Sequence, residues 1–176
     1  MNLEFLTDPA HPMYSEALAL YRESFPLHEQ REAPSQQRIL SDSDYRFGLL
    51  RDGQTFVGLA LYWDADRFLY VEHLCILPSL RNRQYGKAAL DLLARQGKLL
   101  ILEIDPPMDD LSRRRKGFYE RCGFLENPFS HIHPPYHRGN RGHDLILMTS
   151  PRPLSREEYD DFRRYLEERV MDRAFP

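Results

Sequence analysis

The stretch that most restricts how this chain can fold is Leu69–Leu93, LYVEHLCILPSLRNRQYGKAALDLL. It opens with an apolar run rich in β-branched and aromatic residues, passes Pro78, carries a basic loop with one glycine, and closes on apolar residues at helical spacing. The order is strand, turn, helix. Amides that open such a helix have no internal acceptors, and with the helix dipole they form a site for an anion such as a phosphate. Arg81, Arg83 and Lys87 add positive charge, and Gly86 lets the backbone approach closely. A pyrophosphate suits a loop of this kind.

The rest of the chain supplies a sheet around that stretch. Leu3–Leu6 is a short strand, and Ala17, Leu18, Tyr21 and Phe25 recur at helical spacing over Tyr14–Phe25 until Pro26 stops the helix. Pro34–Leu40 begins a second helix, with proline in its first turn. Tyr45–Arg51 and Gln54–Trp63 flank Asp52-Gly53, a hairpin dipeptide, and Arg67–Leu77 returns after the turn at Asp64–Asp66 as the third strand of a meander. The central helix should end near Gly97. Lys98–Ile104 then reads as a strand reached through a helix, hence parallel to the strand before it, and ligands bind at the carboxyl edge of such strands.

Composition excludes several classes. With 176 residues, the chain has the size of one ordinary domain, and no repeat or linker divides 1–176. A formal net charge of −3 gives no support to a general nucleic-acid or membrane-surface role. No signal-peptide pattern opens the chain and no run of eighteen apolar residues occurs, so a cytoplasmic protein is expected. Cys75 and Cys122 are too few for a disulfide framework and read as small buried hydrophobes.

Two blocks carry a resemblance. The first is Ile76–Ala88, ILPSLRNRQYGKA, and the second is Ser112–Phe124, SRRRKGFYERCGF. The first resembles the phosphate-loop signature [Gln/Arg]-x-x-Gly-x-[Gly/Ala] of the GNAT superfamily of acyl-CoA-dependent N-acyltransferases. Gln84 stands where that family's first glycine sits, while Gly86 and Ala88 are kept. The second block is similar to the helix in which that family places a tyrosine ahead of Gly-Phe, here Tyr119 with Gly123-Phe124. Ser112 and Arg115 replace the Asn and Ala common there, so contacts through those side chains do not carry over.

The resemblance implies an α/β fold with a mixed, mostly antiparallel sheet of six to seven strands, a central parallel pair that splays apart, and flanking helices. It implies acetyl-CoA as co-substrate, no metal, and an amine acceptor, either a small molecule or a peptide. The cofactor would be held by Arg81, Asn82, Arg83, Gln84, Tyr85, Gly86, Lys87 and Ala88, with its pantetheine arm pairing to backbone at Leu74, Cys75 and Ile76. The first two helices and the segment Phe25–Arg31 would wall the acceptor pocket, bringing His28, Glu29 or Arg31 to substrate.

Attack of an amine on a thioester needs a neutral amine, an oxyanion partner and a proton for the departing sulfur. Tyr119 is the candidate proton donor by the resemblance. Glu72 and Glu103 are the candidate bases, because a carboxylate inside an apolar strand either meets a partner or is kept for function. Glu72 should alternate with Leu74 and Ile76 on one strand face, with His73 opposite, and is the preferred of the two.

Leu125–His143 is the least regular region, with four histidines and three prolines. Its histidines lack cysteine or carboxylate neighbours and helical spacing, so a cover over the acceptor pocket is expected rather than a zinc site. Arg113–Lys116 is a run of four cations that reads as a solvated helix face or a partner for the 3′-phosphate of CoA. A serine-capped helix at about 155–172 has one apolar stripe, Tyr159, Phe162, Leu166 and Val170, for packing on the body or on a second copy in a homodimer. A non-catalytic acyl-CoA-binding or regulatory module of the same fold is the alternative function. A nucleoside-triphosphate P-loop fails, since Ala88 follows Lys87 and offers magnesium no hydroxyl.

Overall fold

The hydrophobic runs pair into a mixed sheet in the computed structural model, which describes every residue except Arg173 and Pro176. β1 (Asn2–Leu6), β2 (Tyr45–Asp52), β3 (Thr55–Asp64) and β4 (Phe68–Ile76) form an antiparallel series, each strand bonded to the next. Between β1 and β2 run α1 (Tyr14–Ser24), a 3₁₀ turn at Leu27–Glu29, and α2 (Ala33–Ile39). After β4, α3 (Tyr85–Ala94) crosses to β5 (Leu99–Ile104), which lies parallel to β4 as the crossover requires.

The last third of the chain completes the sheet. After α4 (Asp110–Arg121) come β6 (Leu125–Glu126), β7 (His131–His133) and β8 (His143–Ser150), and the sheet order is β1-β2-β3-β4-β5-β8-β6, with β7 also on β8. The strand number is therefore eight, above the six or seven expected. Both additions, β6 and β7, come from the region read as irregular, where strands of two and three residues are too short to show a period.

Two cores form. α1, α2 and α5 (Arg156–Tyr165) cover one face, where Tyr21, Leu49, Trp63, Tyr70 and Phe162 are buried together, while α3 and α4 cover the other over Leu69, Leu90, Leu102 and Met148. The apolar stripe of α5 is consumed within the chain. Phe162 meets Phe68 and Tyr70 edge-on at 5.7 and 5.2 Å, and emptying such a site costs roughly 3–5 kcal/mol. Ser155 caps α5 as expected, accepting from the Glu158 amide while Glu158 accepts from its own.

One irregularity decides where the chemistry can be. Leu61 of β3 faces His73, but its neighbour Tyr62 faces Val71, so Glu72 is an extra residue, a β-bulge on β4. The bulge reverses the side-chain alternation. Glu72 and His73 therefore both turn toward the α1/α5 face, and Leu74 and Ile76 toward the α3/α4 face. The expected alternation of Glu72 with Leu74 and Ile76, with His73 opposite, is corrected by this one residue.

The parting of the sheet begins at the same place. β4 and β5 pair from Phe68–Leu99 to Val71–Leu102 and no further. Beyond that register β4 bonds only β3, and β5 bonds only β8. A bulge bends and overtwists its strand, so Glu72 is positioned to turn β4 away from β5. No described helix is long and apolar enough to cross a membrane.

Candidate active site

The loop between β4 and α3 has the geometry of an anion cradle. Asn82 and Gln84 take left-handed backbone angles, φ 62° and 67°, and Gln84 is the residue that opens α3. Gln84 adopts the conformation for which the family pattern uses glycine, which costs an L-residue roughly 1–2 kcal/mol. No side chain caps α3, and the first internal bond is Ala88 N–H to Gln84 O, so the amides of Tyr85, Gly86 and Lys87 point out of the helix end. A Cβ on Gly86 would meet the Phe118 ring at 3.0 Å, so glycine there seats α3 against α4. Lys87 is held by Asp91 at 2.6 Å, and Arg81 Nε donates to the Ile76 carbonyl at 3.3 Å.

Leu74, Cys75 and Ile76 bond to β3 on one side, and past Val71 their other backbone edge has no β5 partner. Cys75 is buried, and that burial pushes its thiol up. Tyr119 sits on α4 between the rings of Phe118 and Phe124, packed on the same face as Leu74 and Ile76. Burial raises its phenol to about 12. Ser112, which replaces the family's Asn, is used locally in a reciprocal cap with Asp109 that starts α4.

On the opposite face the two carboxylates diverge. Glu72 Oε1 accepts from Arg31 Nε and Nη2 at 3.0 and 2.8 Å and from the Tyr136 hydroxyl at 2.7 Å, and Oε2 accepts from Trp63 Nε1 at 2.9 Å. Burial alone would raise this carboxyl, but the Arg31 charge and the hydrogen bonds override it and hold it at about 2. Arg31, expected near substrate, is instead sealed under Trp63 and Tyr136, its guanidinium 5.6 and 5.2 Å from their ring centres.

Glu103 has softer partners. Its Oε2 accepts from Tyr70 at 2.5 Å, Oε1 meets His131 Nε2, and His133 Nε2 lies 3.9 Å away. Burial opposes its ionisation, while His133 and the His131 hydrogen bond bring the carboxyl below its usual value. His133 Nε2 also stands 3.2 Å from the Tyr136 hydroxyl, so its ring lies between the Glu72 set and Glu103 while hydrogen-bonding only the former.

A cavity of about 500 Å³ opens beside this set, walled by His28, Glu29, Glu103, Asp105, Tyr136 and His143 among others. His28 and Glu29 are among its walls, and residues of the segment Pro134–His143 line it from the other side. Tyr119 is not among its walls. The candidate groups lie on two sides of the parted strands, Tyr119 on one and Glu103 on the other. The cation run on α4 is largely neutralised, with Arg113 on Asp110, Arg115 on Asp105 and Lys116 on Glu126. Sequence reasoning missed Tyr70, His131, His133 and Tyr136 as partners of the carboxylates. The one available signal was two histidines two residues apart, placing both rings on one face of a strand.

The fold and the comparisons together define an acyltransferase. The model of the Acetyltransferase (GNAT) family matches residues 10–124, and the chain belongs to that family. A Bacteroides thetaiotaomicron protein assigned to the GNAT family as an acetyltransferase superposes with a TM-score of 0.89 at 30% identity, over 97% of this chain and 98% of that one. An aminoglycoside 6′-N-acetyltransferase complexed with coenzyme A has a TM-score of 0.59 at 17% identity, over 88% and 100%. The Escherichia coli ribosomal-protein-S18-alanine N-acetyltransferase gives 0.56 at 19%, over 89% and 96%. At those identities the last two show the fold alone. No curated protein matches the chain.

Proposed function

We infer that the chain transfers an acetyl group from acetyl-CoA to a primary amine by direct attack of the amine on the thioester. The observation that carries this reading is the end of β4–β5 pairing at Val71–Leu102, with Glu103 the next residue on β5. The diphosphate of CoA is held by the opening amides of α3 within Arg81–Ala88, and its pantetheine arm follows the free edge of Leu74, Cys75 and Ile76. The thioester then lies near Ile76, where a backbone N–H faces the developing oxyanion.

The acceptor comes from the other side, through the cavity, which has room for a small amine or the end of a peptide. Glu103, whose carboxyl its imidazole and phenol partners hold below the ordinary value, is too weak a base to strip a free ammonium. The neutral amine therefore attacks. Its nitrogen becomes cationic and strongly acidic in the tetrahedral intermediate, and Glu103, ionised at neutral pH, takes that proton. As the C–S bond breaks, Tyr119 donates its hydroxyl proton in a hydrogen bond to the leaving sulfur. Glu72, with both oxygens hydrogen-bonded by Arg31, Tyr136 and Trp63, positions Tyr136 and stays ionised throughout.

The reading treats 1–176 as one N-acyltransferase domain. It is tested by thiol release from acetyl-CoA across a panel of primary amines. Amine-dependent release that fails in Glu103→Gln, with CoA affinity kept, supports it; equal release by both proteins contradicts it.

A further inference from the structure

We propose that His28, Glu29 and His143 form a binding site for a divalent transition-metal ion such as Zn²⁺ at the wall of the acceptor cavity. One ligand atom from each of the three lies within 4.8 Å of the others. His28 Nε2 is 3.7 Å from Glu29 Oε1, and the His28 and His143 rings are 5.3 Å apart. Asp105 Oδ1 lies 3.4 Å from His143 Nε2 and puts a second carboxylate beside the same ring. His28 is exposed and the other two are half-buried, so an ion reaches them from solvent.

The donor set selects the ion. Two imidazoles and one carboxylate suit Zn²⁺, Co²⁺, Ni²⁺ or Cu²⁺ and leave a coordination position open, whereas Mg²⁺ and Ca²⁺ take oxygen ligands. The site joins elements distant in sequence, the 3₁₀ turn after α1 and the first residue of β8, so an ion would fasten one cavity wall to another. The histidine-rich segment does not form this site by itself. His131 is engaged by Glu103, His133 by the Pro134 carbonyl and Tyr136, and His137 by the carbonyls of Leu27 and Gln30; only His143 turns to His28. All three ligands wall the cavity, so a bound ion occupies space the acceptor uses. That consequence rests on the transferase reading, while metal binding does not.

The test is titration of the chelator-stripped full chain with Co²⁺, followed by the visible d–d absorption, and with Zn²⁺ by competition. The site predicts one ion per chain and an affinity weakened at least about tenfold in His143→Gln and in Glu29→Gln, given that even outer-shell partners are worth about 10–100-fold. His11→Gln, outside the cavity, binds as wild type. X-ray absorption of the Zn²⁺ form should show two imidazoles with oxygen. Absence of saturable binding, or equal affinity in His143→Gln and wild type, overturns the site. His28→Gln, altered at an exposed turn, decides the matter if His143→Gln does not fold. Where an acceptor is turned over, Zn²⁺ should raise its KM several-fold in wild type and leave it unchanged in His28→Gln. A chain that binds the ion but acetylates nothing leaves the metal site standing and removes the transferase reading.

Discussion

Glu72 and Glu103 stand on neighbouring strands at the same parting of the sheet, yet one is bonded to a permanent cation and the other to a phenol and an imidazole. Glu72 faces Arg31, which never gives up its proton, and its oxygens are filled by an indole and a phenol as well. Glu103 faces Tyr70, His131 and His133 beside the cavity. A carboxylate locked to arginine maintains structure, and one held by imidazoles can pass charge to a substrate. The difference teaches that a buried acid in an apolar strand is read by its partners, not by its strand.

Substitution breaks this comparison most sharply at Glu72. Glu72→Ala strands a buried guanidinium and should lower unfolding free energy by roughly 3–5 kcal/mol in urea titrations. Glu103→Gln, which keeps its hydrogen-bonding shape, should lower it far less.

Acid separates the two next. Glu72 falls from 4.5 to about 2 on folding, so the native state binds the proton more weakly and stability is gained above the unfolded value. That contribution, about 3 kcal/mol, is present above pH 5 and lost as pH falls from about 4.5 toward about 2. Denaturation midpoints measured across that range should drop steeply in wild type and flatten in Arg31→Met/Glu72→Leu, where the pair is absent.

Turnover then inverts the ranking. Glu103→Gln should reduce kcat by about 10²-fold, the lower end of general-base contributions, with CoA binding intact by calorimetry. Tyr119→Phe, on the far side of the parted strands, should cost about 10-fold, because a phenol at about 12 is a weak proton donor to sulfur. Gln84→Gly should give the smallest effect, a stabilisation of about 1 kcal/mol from relief of the left-handed backbone, read as a raised Tm.

The meander, the crossover to β5 and the loop before α3 were legible because each rests on local signals: an Asp-Gly turn, an apolar run after a helix, and Pro78 ahead of a basic loop. The parted strands came from the resemblance and not from any periodicity. The acid at the centre was less legible. A period of two assigned Glu72 to the wrong face, since a bulge inserts one residue without any mark in the residue types around it. Arg31 lies 41 positions from Glu72 and Tyr136 lies 64, and nothing in the spacing announces either bond. Leu125–His143 looked featureless because its strands are brief, although it supplies the groups that hold both carboxylates.

A crystal structure with CoA bound tests the central claim most directly. The account predicts the diphosphate on the amides of Tyr85, Gly86 and Lys87 and the sulfur between β4 and β5 beyond Val71 and Leu102, with Glu103 across the gap. CoA bound elsewhere on the chain, or a sulfur on the cavity's outer rim with β4 and β5 closed over Glu103, would contradict it.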